Sequence, residues 1–322
     1  MKDMRYEQVT DQLSDSKVLV VGGGGFIGTA LSKTLNTEGA RVISLVNSDT
    51  KKRESLPNVT TITADIREHT SLKKALANYS FDYVFNLGGY IDHSPYLEGG
   101  RNVVDVHYTG MLNLLNQVFT PSLKKFVQVG SSDEYGNRPS PQSENLREVP
   151  ISPYSAAKAG ATHLIQALSR TEGFPGVVVR LFLVYGPGQS DKRFLPQVIK
   201  GCLEGRTFPT SAGEQLRDFC YIEDVVDGLL LSAFKPEAVG RVINIASGRP
   251  VSIISVIEKV VELVGSGQPD FGSYPYRTCE NMKLYADISV AKSLLDWKPK
   301  TTLEEGLKKT VDYYRRSIRG GQ

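Results

Sequence analysis

Disulfide and metal chemistry have little to draw on in this chain. Its 322 residues include 3 cysteines, 4 histidines and 1 tryptophan. Cys202, Cys220 and Cys279 are odd in number and far apart, with no C-x-x-C pair, so reduced thiols in a cytoplasmic protein are expected rather than a disulfide framework. His69, His93, His107 and His163 fall at no ligand spacing, and no metal site is expected. No apolar run approaches the ~20 residues that span a bilayer, and residues 1–16 are polar rather than signal-like, so no membrane is expected. A surplus of one charge sign is missing as well. The 38 Lys and Arg against 35 Asp and Glu leave +3, scattered along the chain, which argues against a nucleic-acid surface.

What is present suits a core. With 40% hydrophobic and 23% charged residues, the chain has material for one large α/β domain and a smaller lobe. Val18-Leu19-Val20-Val21 reads as a strand buried on both faces. The run Gly22-Gly23-Gly24-Gly25-Phe26-Ile27-Gly28 follows, and apolar residues at helical spacing (Ile27, Ala30, Leu31, Leu35) come after it. Strand, glycine turn and helix N-terminus together make an anion cradle suited to the pyrophosphate of a dinucleotide. The spacing fits both Gly23-x-Gly25-x-x-Gly28 and Gly22-x-x-Gly25-x-x-Gly28. A glycine-rich turn that binds nothing is the bland alternative.

Strand and helix then alternate. Strands are expected at 41–46, 59–63, 83–87, 126–129 and 177–183, and helices at 71–78, 103–119 and 154–171, with Gly39 closing the first helix. This pattern predicts a Rossmann-type doubly wound parallel sheet. Residues 1–16 read as an extension, 17–183 as the dinucleotide-binding domain and 184–322 as a smaller C-terminal substrate-binding lobe, some of which returns to the sheet. Helices at 194–204, 222–233 and 253–264 and a strand at 242–245 fall in the lobe, and 266–276 is a Gly/Pro/Ser-rich stretch.

Tyr154 and Lys158 lie four positions apart on an expected helix and share a face. A nearby ammonium stabilises a phenolate, which suits Tyr154 to proton transfer near neutral pH. Ser131, at a strand end, is placed to bond the same substrate oxygen. Taken alone, Tyr-x-x-x-Lys more often marks a solvated helix face.

In that order, the motifs resemble those of the extended short-chain dehydrogenase/reductases of the nucleotide-sugar epimerase/dehydratase family. The landmarks are Gly22-x-x-Gly25-x-x-Gly28, Asp65-Ile66, Asn86-Leu87-Gly88-Gly89, Ser131, Tyr154-x-x-x-Lys158, Tyr185-Gly186-Pro187-Gly188, the segment from Arg217 to Asp224, and Asp296-Trp297-Lys298-Pro299. The resemblance implies a nicotinamide dinucleotide and a nucleotide-sugar substrate. Tyr154 would exchange the proton of the sugar 4-hydroxyl, Lys158 would hold the nicotinamide ribose, and Ser131 would bond O4. Gly22, Gly25, Phe26, Ile27 and Gly28 would cradle the cofactor, Asp65 and Ile66 would flank its adenine, and Leu87 and Gly88 would line its adenosine side. Arg217 and Arg277 would grip the substrate diphosphate, and Ser94 and Ser132 would contact the sugar. A homodimer through a four-helix bundle, built from the helices at 103–119 and 154–171, is also implied.

Several positions depart from the family pattern. The second strand ends in Val46 rather than an acid, followed by Asn47 and Ser48, which with Lys51 or Arg53 suit a 2′-phosphate. NADP is therefore slightly favoured over NAD, although Asp49 is a candidate for the missing carboxylate. His107 stands where relatives offer an asparagine, and Leu183 where many have another. In Ser131-Ser132-Asp133-Glu134-Tyr135-Gly136, Asp133 occupies the place of the acid that removes the C5 proton in sugar-nucleotide 4,6-dehydratases. Read one residue over, Asp133 and Glu134 form the acid/base pair; in the bland reading both only cap the loop or pair with Arg or Lys. The segment also resembles GDP-6-deoxy-4-keto-hexose reductases. A 4,6-dehydratase acting through a 4-keto intermediate is the expected activity. An NADPH-dependent reductase of a 4-keto-6-deoxy nucleotide sugar is the alternative, and a non-catalytic NAD(P)H sensor the remote one.

Overall fold

The computed structural model describes residues 12–47, 56–276 and 280–319. Residues 1–11 of the extension and Ser48, Asp49, Lys51, Arg53, Arg277 and Cys279, singled out above, lie outside the described residues. The centre is a seven-stranded sheet of β1 (Lys17–Val21), β2 (Arg41–Val46), β3 (Thr60–Thr63), β4 (Tyr83–Asn86), β5 (Lys125–Ser131), β6 (Gly176–Leu181) and β10 (Val242–Ile245), in the order β10-β6-β5-β4-β1-β2-β3. Every neighbouring pair is parallel. Strand order reverses between β1 and β4, and that reversal opens a crevice beyond the carboxyl ends of the strands.

Alternation along the strands decides the two layers. Val18 and Val20 pack with Leu31 and Leu35 of α1 (Phe26–Thr37) and with Leu229 of α7 (Ile222–Phe234). Leu19 and Val21 point the other way, to Leu72 of α2 (His69–Leu76), Leu114 of α4 (Gly110–Val118) and Ile165 of α5 (Pro153–Thr171). Both faces are covered, which is why the strands read as continuous apolar runs.

The expected helix at 103–119 is longer and interrupted. It runs as α3 (Gly100–Val104), a π-turn (Asp105–Thr109) and α4. The strand expected at 177–183 breaks at Phe182: β6 stays in the main sheet, while β7 (Leu183–Tyr185) leaves it to pair with β9 (Leu216–Tyr221). Around β9 a second sheet gathers β11 (Pro250–Ser252) and β13 (Lys283–Leu284). After α6 (Phe194–Leu203) comes β8 (Thr207–Thr210), and the Gly/Pro/Ser-rich stretch contributes β12 (Gln268–Phe271), its parallel partner. Each of these strands carries a proline, which an edge position tolerates. The chain closes with α8 (Ile253–Val264), α9 (Ser289–Leu295) and α10 (Leu303–Arg319).

Candidate active site

The glycine run meets steric demands at each framing position, Gly23 included, where a Cβ would lie 2.1 Å from Ser44 Oγ. Gly22 has φ +75°, and a Cβ there would lie 2.8 Å from the Leu87 carbonyl oxygen. A Cβ at Gly28 would lie 2.3 Å from the Gly22 oxygen. Gly25 is the N-cap of α1 without a side-chain cap, and Thr29 donates the first helical bond, to Gly25 O at 2.9 Å. The N–H groups of Phe26, Ile27 and Gly28 thus face out of the helix start, with no acid in the first turn to repel an anion. These residues fit a dinucleotide pyrophosphate, with Gly22, Gly23, Gly25 and Gly28 as the framing glycines.

The walls of the crevice follow. Asn86, at the end of β4, donates to Gln128 at 2.8 Å and accepts from Gly88 N–H at 3.2 Å, which fixes the Leu87-Gly88 corner beside Gly22. Ile66 packs under Gly88 and Gly110. Asp65 is clasped by Arg67, with contacts of 3.0 and 2.6 Å, and that guanidinium holds its carboxyl below the usual range. Asn47 ends the described part of the corner after β2.

Across the crevice lie the groups expected to do chemistry. Ser131 closes β5, and a short 3-10 turn (Ser132–Tyr135) begins there. The Ser131 hydroxyl accepts from Asp133 N–H at 3.2 Å, and the Glu134 carboxylate accepts from Ser131 N–H at 2.8 Å, a reciprocal capping box. Tyr154 and Lys158 sit in the first turns of α5, both buried. The Ser131 side chain acts on the Tyr154 phenol and is the first influence lowering its pKa. Two imidazoles stand edge-on to its ring, His93 at 5.6 Å and His107 at 5.0 Å between centroids. His93 Nε2 also lies 3.0 Å from the Asp133 carboxylate. Ser131, Asp133, Tyr154 and Lys158 are therefore brought together from three elements, with His93 added to them.

Two expectations need correction. Burial pushes the Tyr154 phenol above its ordinary range; the Ser131 side chain and the Arg193 charge are the chief influences pulling it down. Lys158 is not among the leading influences on that phenol. Its Nζ lies 6.0 Å from the Tyr154 ring centroid and donates to Val129 O at 2.8 Å, and burial lowers its own pKa to about 8. The other correction concerns Glu134, which is fully buried and paired with Arg180 at 2.8 Å, turned away from Tyr154 into the core. Of the two carboxylates, Asp133 alone faces the Tyr154–His93 cluster.

The remaining candidates are scattered more widely. Ser94 donates to Asp92 at 2.6 Å and shapes the loop that carries His93. Ser132 is buried in the 3-10 turn. Arg217, on β9, donates to Leu216 O at 2.8 Å and pairs with Glu280. His107, on the π-turn, donates from Nε2 to Tyr90 O at 2.8 Å; burial and the nearby Lys158 charge drop its pKa to about 3, so it is neutral. Gly89, at φ +124°, is required here, because a Cβ would lie 2.1 Å from His107 Cε1. Sequence reasoning did not reach Arg193, whose charge acts on Tyr154 from the loop before α6. It did not reach Thr162 or Arg180 either. Their signals were a third residue on the Tyr154–Lys158 helix stripe and a lone arginine inside an apolar strand.

With this geometry in place, comparison with known proteins decides the family. The sequence profile of the NAD dependent epimerase/dehydratase family matches residues 18–246. The chain belongs to this family. It is similar to the UDP-glucuronate 4-epimerase of Thermodesulfobacterium geofontis, at 32% identity over 93% of this chain and 96% of the relative. It is also similar to dTDP-glucose 4,6-dehydratase 1 of Escherichia coli, at 30% identity over 92% of each chain. Among solved structures, the UDP-glucuronic acid 4-epimerase of Bacillus cereus, crystallised as a Tyr-to-Phe variant with UDP-4-deoxy-4-fluoro-glucuronic acid and NAD, superposes with a TM-score of 0.83 at 28% identity, covering 94% of this chain and 99% of that one. The NAD-dependent epimerase/dehydratase family thus includes both epimerase and dehydratase relatives of this chain. Among the described residues, no helix is long and apolar enough to cross a membrane.

Proposed function

We propose that this enzyme oxidises C4 of a nucleotide-linked hexose and carries the 4-keto sugar on to loss of water at C5–C6, as a 4,6-dehydratase. A nicotinamide dinucleotide in the Gly22–Gly28 cradle supplies the hydride acceptor and, later, the donor. Tyr154 takes the proton of the 4-hydroxyl, and Ser131 bonds O4 and holds the phenol. With C4 a ketone, the C5 hydrogen becomes acidic, and the Asp133 carboxylate removes it. The C6 hydroxyl leaves as water after protonation from the His93–Asp133 pair. A hydride returned to C6 and a proton returned to C5, balanced by the one that Tyr154 took from O4, would leave a net loss of one water. Lys158 holds the nicotinamide ribose, and Arg217 exchanges Glu280 for the substrate diphosphate, a task its planar fork suits.

The observation that carries this reading is the carboxylate beside Tyr154. An acid/base pair made by Asp133 and His93, 3.0 Å apart, is more than a bare 4-epimerisation requires. Val46, which leaves β2 without a terminal acid, supports NADP at least as well as NAD. A homodimer through α4 and α5, a cytoplasmic setting, and a substrate lobe built from 184–322 apart from β10 belong to the same reading.

The test is a panel of nucleotide sugars, with and without added NADPH, read by the mass of the sugar. Loss of one water without added NADPH is the expected result. Consumption of NADPH with a gain of two hydrogens would mean a reductase, and an unchanged mass with an altered C4 configuration an epimerase. With the sugar that reacts, Asp133→Asn stops water loss while slow formation of reduced cofactor continues. A variant that dehydrates at the wild-type rate removes Asp133 from the mechanism.

A further inference from the structure

Behind the Ser131–Tyr154 contact lies a buried ion pair that the reaction above does not use. Glu134 is fully buried, and each of its oxygens is engaged. Oε1 accepts from the backbone N–H of Ser131 at 2.8 Å. Oε2 accepts from the Thr162 hydroxyl at 2.7 Å and from Arg180 Nε at 2.8 Å. Arg180 comes from β6, with its guanidinium 4.5 Å from the Tyr135 ring centroid and its other end on Glu148. Thr162 follows Tyr154 and Lys158 at i+8 and i+4 on one stripe of α5. One carboxylate therefore ties together the end of β5, the inner face of α5 and β6.

We propose that Glu134 is a positioning residue: it clamps the helix carrying Tyr154 and Lys158 to the strand carrying Ser131. A buried ion pair adds little net stability once desolvation is counted, so its main consequence is geometric. Proton transfer between Tyr154 and a substrate oxygen held by Ser131 tolerates little displacement, because misplacement of about 1 Å costs on the order of a hundredfold in rate. The charge acts in the same place. The Glu134 carboxylate raises the pKa of Lys158 and also that of Tyr154. The other ionisable groups facing this pair are Asp133 on the 3-10 turn, His93 on the β4 loop, His107 on the π-turn and Arg193 before α6, with Arg180 behind Glu134. The clamp rests on the assignment of Ser131, Tyr154 and Lys158 as reacting groups, but on no particular fate of the 4-keto sugar.

The experiment compares Glu134→Gln, Thr162→Val and a control, His163→Gln, which alters only the outer 3.4 Å contact to Glu148. Steady-state kinetics with the reacting nucleotide sugar are measured across pH, alongside amide hydrogen exchange of peptides spanning 130–136 and 154–162. In Glu134→Gln, kcat falls at least about tenfold while KM stays within about threefold. Both limbs of its kcat–pH profile move to lower pH, because loss of the negative charge lowers the pKa of Tyr154 and Lys158 together. Thr162→Val keeps the charge but loses the helix tie, so its kcat falls with the pH limbs in place. Exchange rises in both peptides in each variant, and the control is unchanged. Glu134→Gln with kcat within about twofold of wild type and unmoved limbs would overturn the proposal, as would unchanged exchange in both variants. Tyr154→Phe, measured in parallel, separates the two failures. If it turns over normally, the reacting groups were misassigned, and exchange alone then decides the clamp.

Discussion

His107 shows how far a single buried side chain ties the site to the conditions around it. Its folded pKa of about 3 lies below the ordinary 6.5, with desolvation as the largest cause. Between those two pH values the unfolded chain binds a proton that the folded chain refuses, so stability falls as pH falls through that window. At pH 4.5 the two-unit gap below 6.5 amounts to about 3 kcal/mol. Chemical denaturation at pH 7 and pH 4.5 tests this. His107→Asn should shrink the stability difference between the two pH values by roughly 2–3 kcal/mol. An equal difference in variant and wild type would mean that the imidazole is not buried neutral. Residue chemistry was only partly legible in the sequence. The spacing of Tyr154 and Lys158 and the strand-end place of Ser131 marked them as candidates that the fold brings together, whereas Asp133 and Glu134 were indistinguishable as adjacent acids. The capping box, Ser131-x-x-Glu134, was written in the chain, but its consequence was not: it turns one acid into the core and leaves the other facing His93.

At the scale of elements, the strand–glycine–helix unit is the most strictly specified. Gly28 is where α1 crosses closest to Gly22, and an added methyl group has only backbone to meet. Gly28→Ala should weaken dinucleotide binding at least about tenfold, measured by fluorescence titration, with the far-ultraviolet dichroism of the fold retained. Binding within about twofold of wild type would show that the turn has room to shift. This unit could be read from sequence because its constraints are local. The π-turn could not. Nothing in Asp105–Thr109 marks it, and it exists because helix α3–α4 must both pack on the sheet and bring His107 against Tyr90 and Tyr154. Strands β8, β9, β11, β12 and β13 escaped for a related reason: each pairs with residues distant in sequence, and all but β9 are four residues or fewer.

Across the whole molecule, two buried aspartates join the C-terminal third to the sheet. Asp218 accepts from the N–H groups of Ser247, Gly248 and Ala286 at 2.7, 2.9 and 3.2 Å. Asp224 accepts from Lys300 and Thr301 at 2.9 and 3.0 Å, while its carbonyl takes the Trp297 indole N–H at 3.1 Å. The motif from Arg217 to Asp224 and the one from Asp296 to Pro299 are therefore halves of one structural joint. Asp224→Ala leaves two part-buried N–H groups without an acceptor and should cost about 1–3 kcal/mol in urea denaturation. A loss below roughly 0.5 kcal/mol would mean that water replaces the carboxylate.

The sequence by itself determined the doubly wound sheet, the glycine cradle and the family, because alternating burial, turn glycines and i,i+4 spacing are local properties of the chain. Only the tertiary structure decided which acid faces Tyr154, that Lys158 is anchored to Val129 O, and that Arg217 is held by Glu280. Those outcomes depend on which long-range neighbours share a desolvated space. A buried charge turns toward whatever partner the fold delivers, and that partner lies far away in the chain.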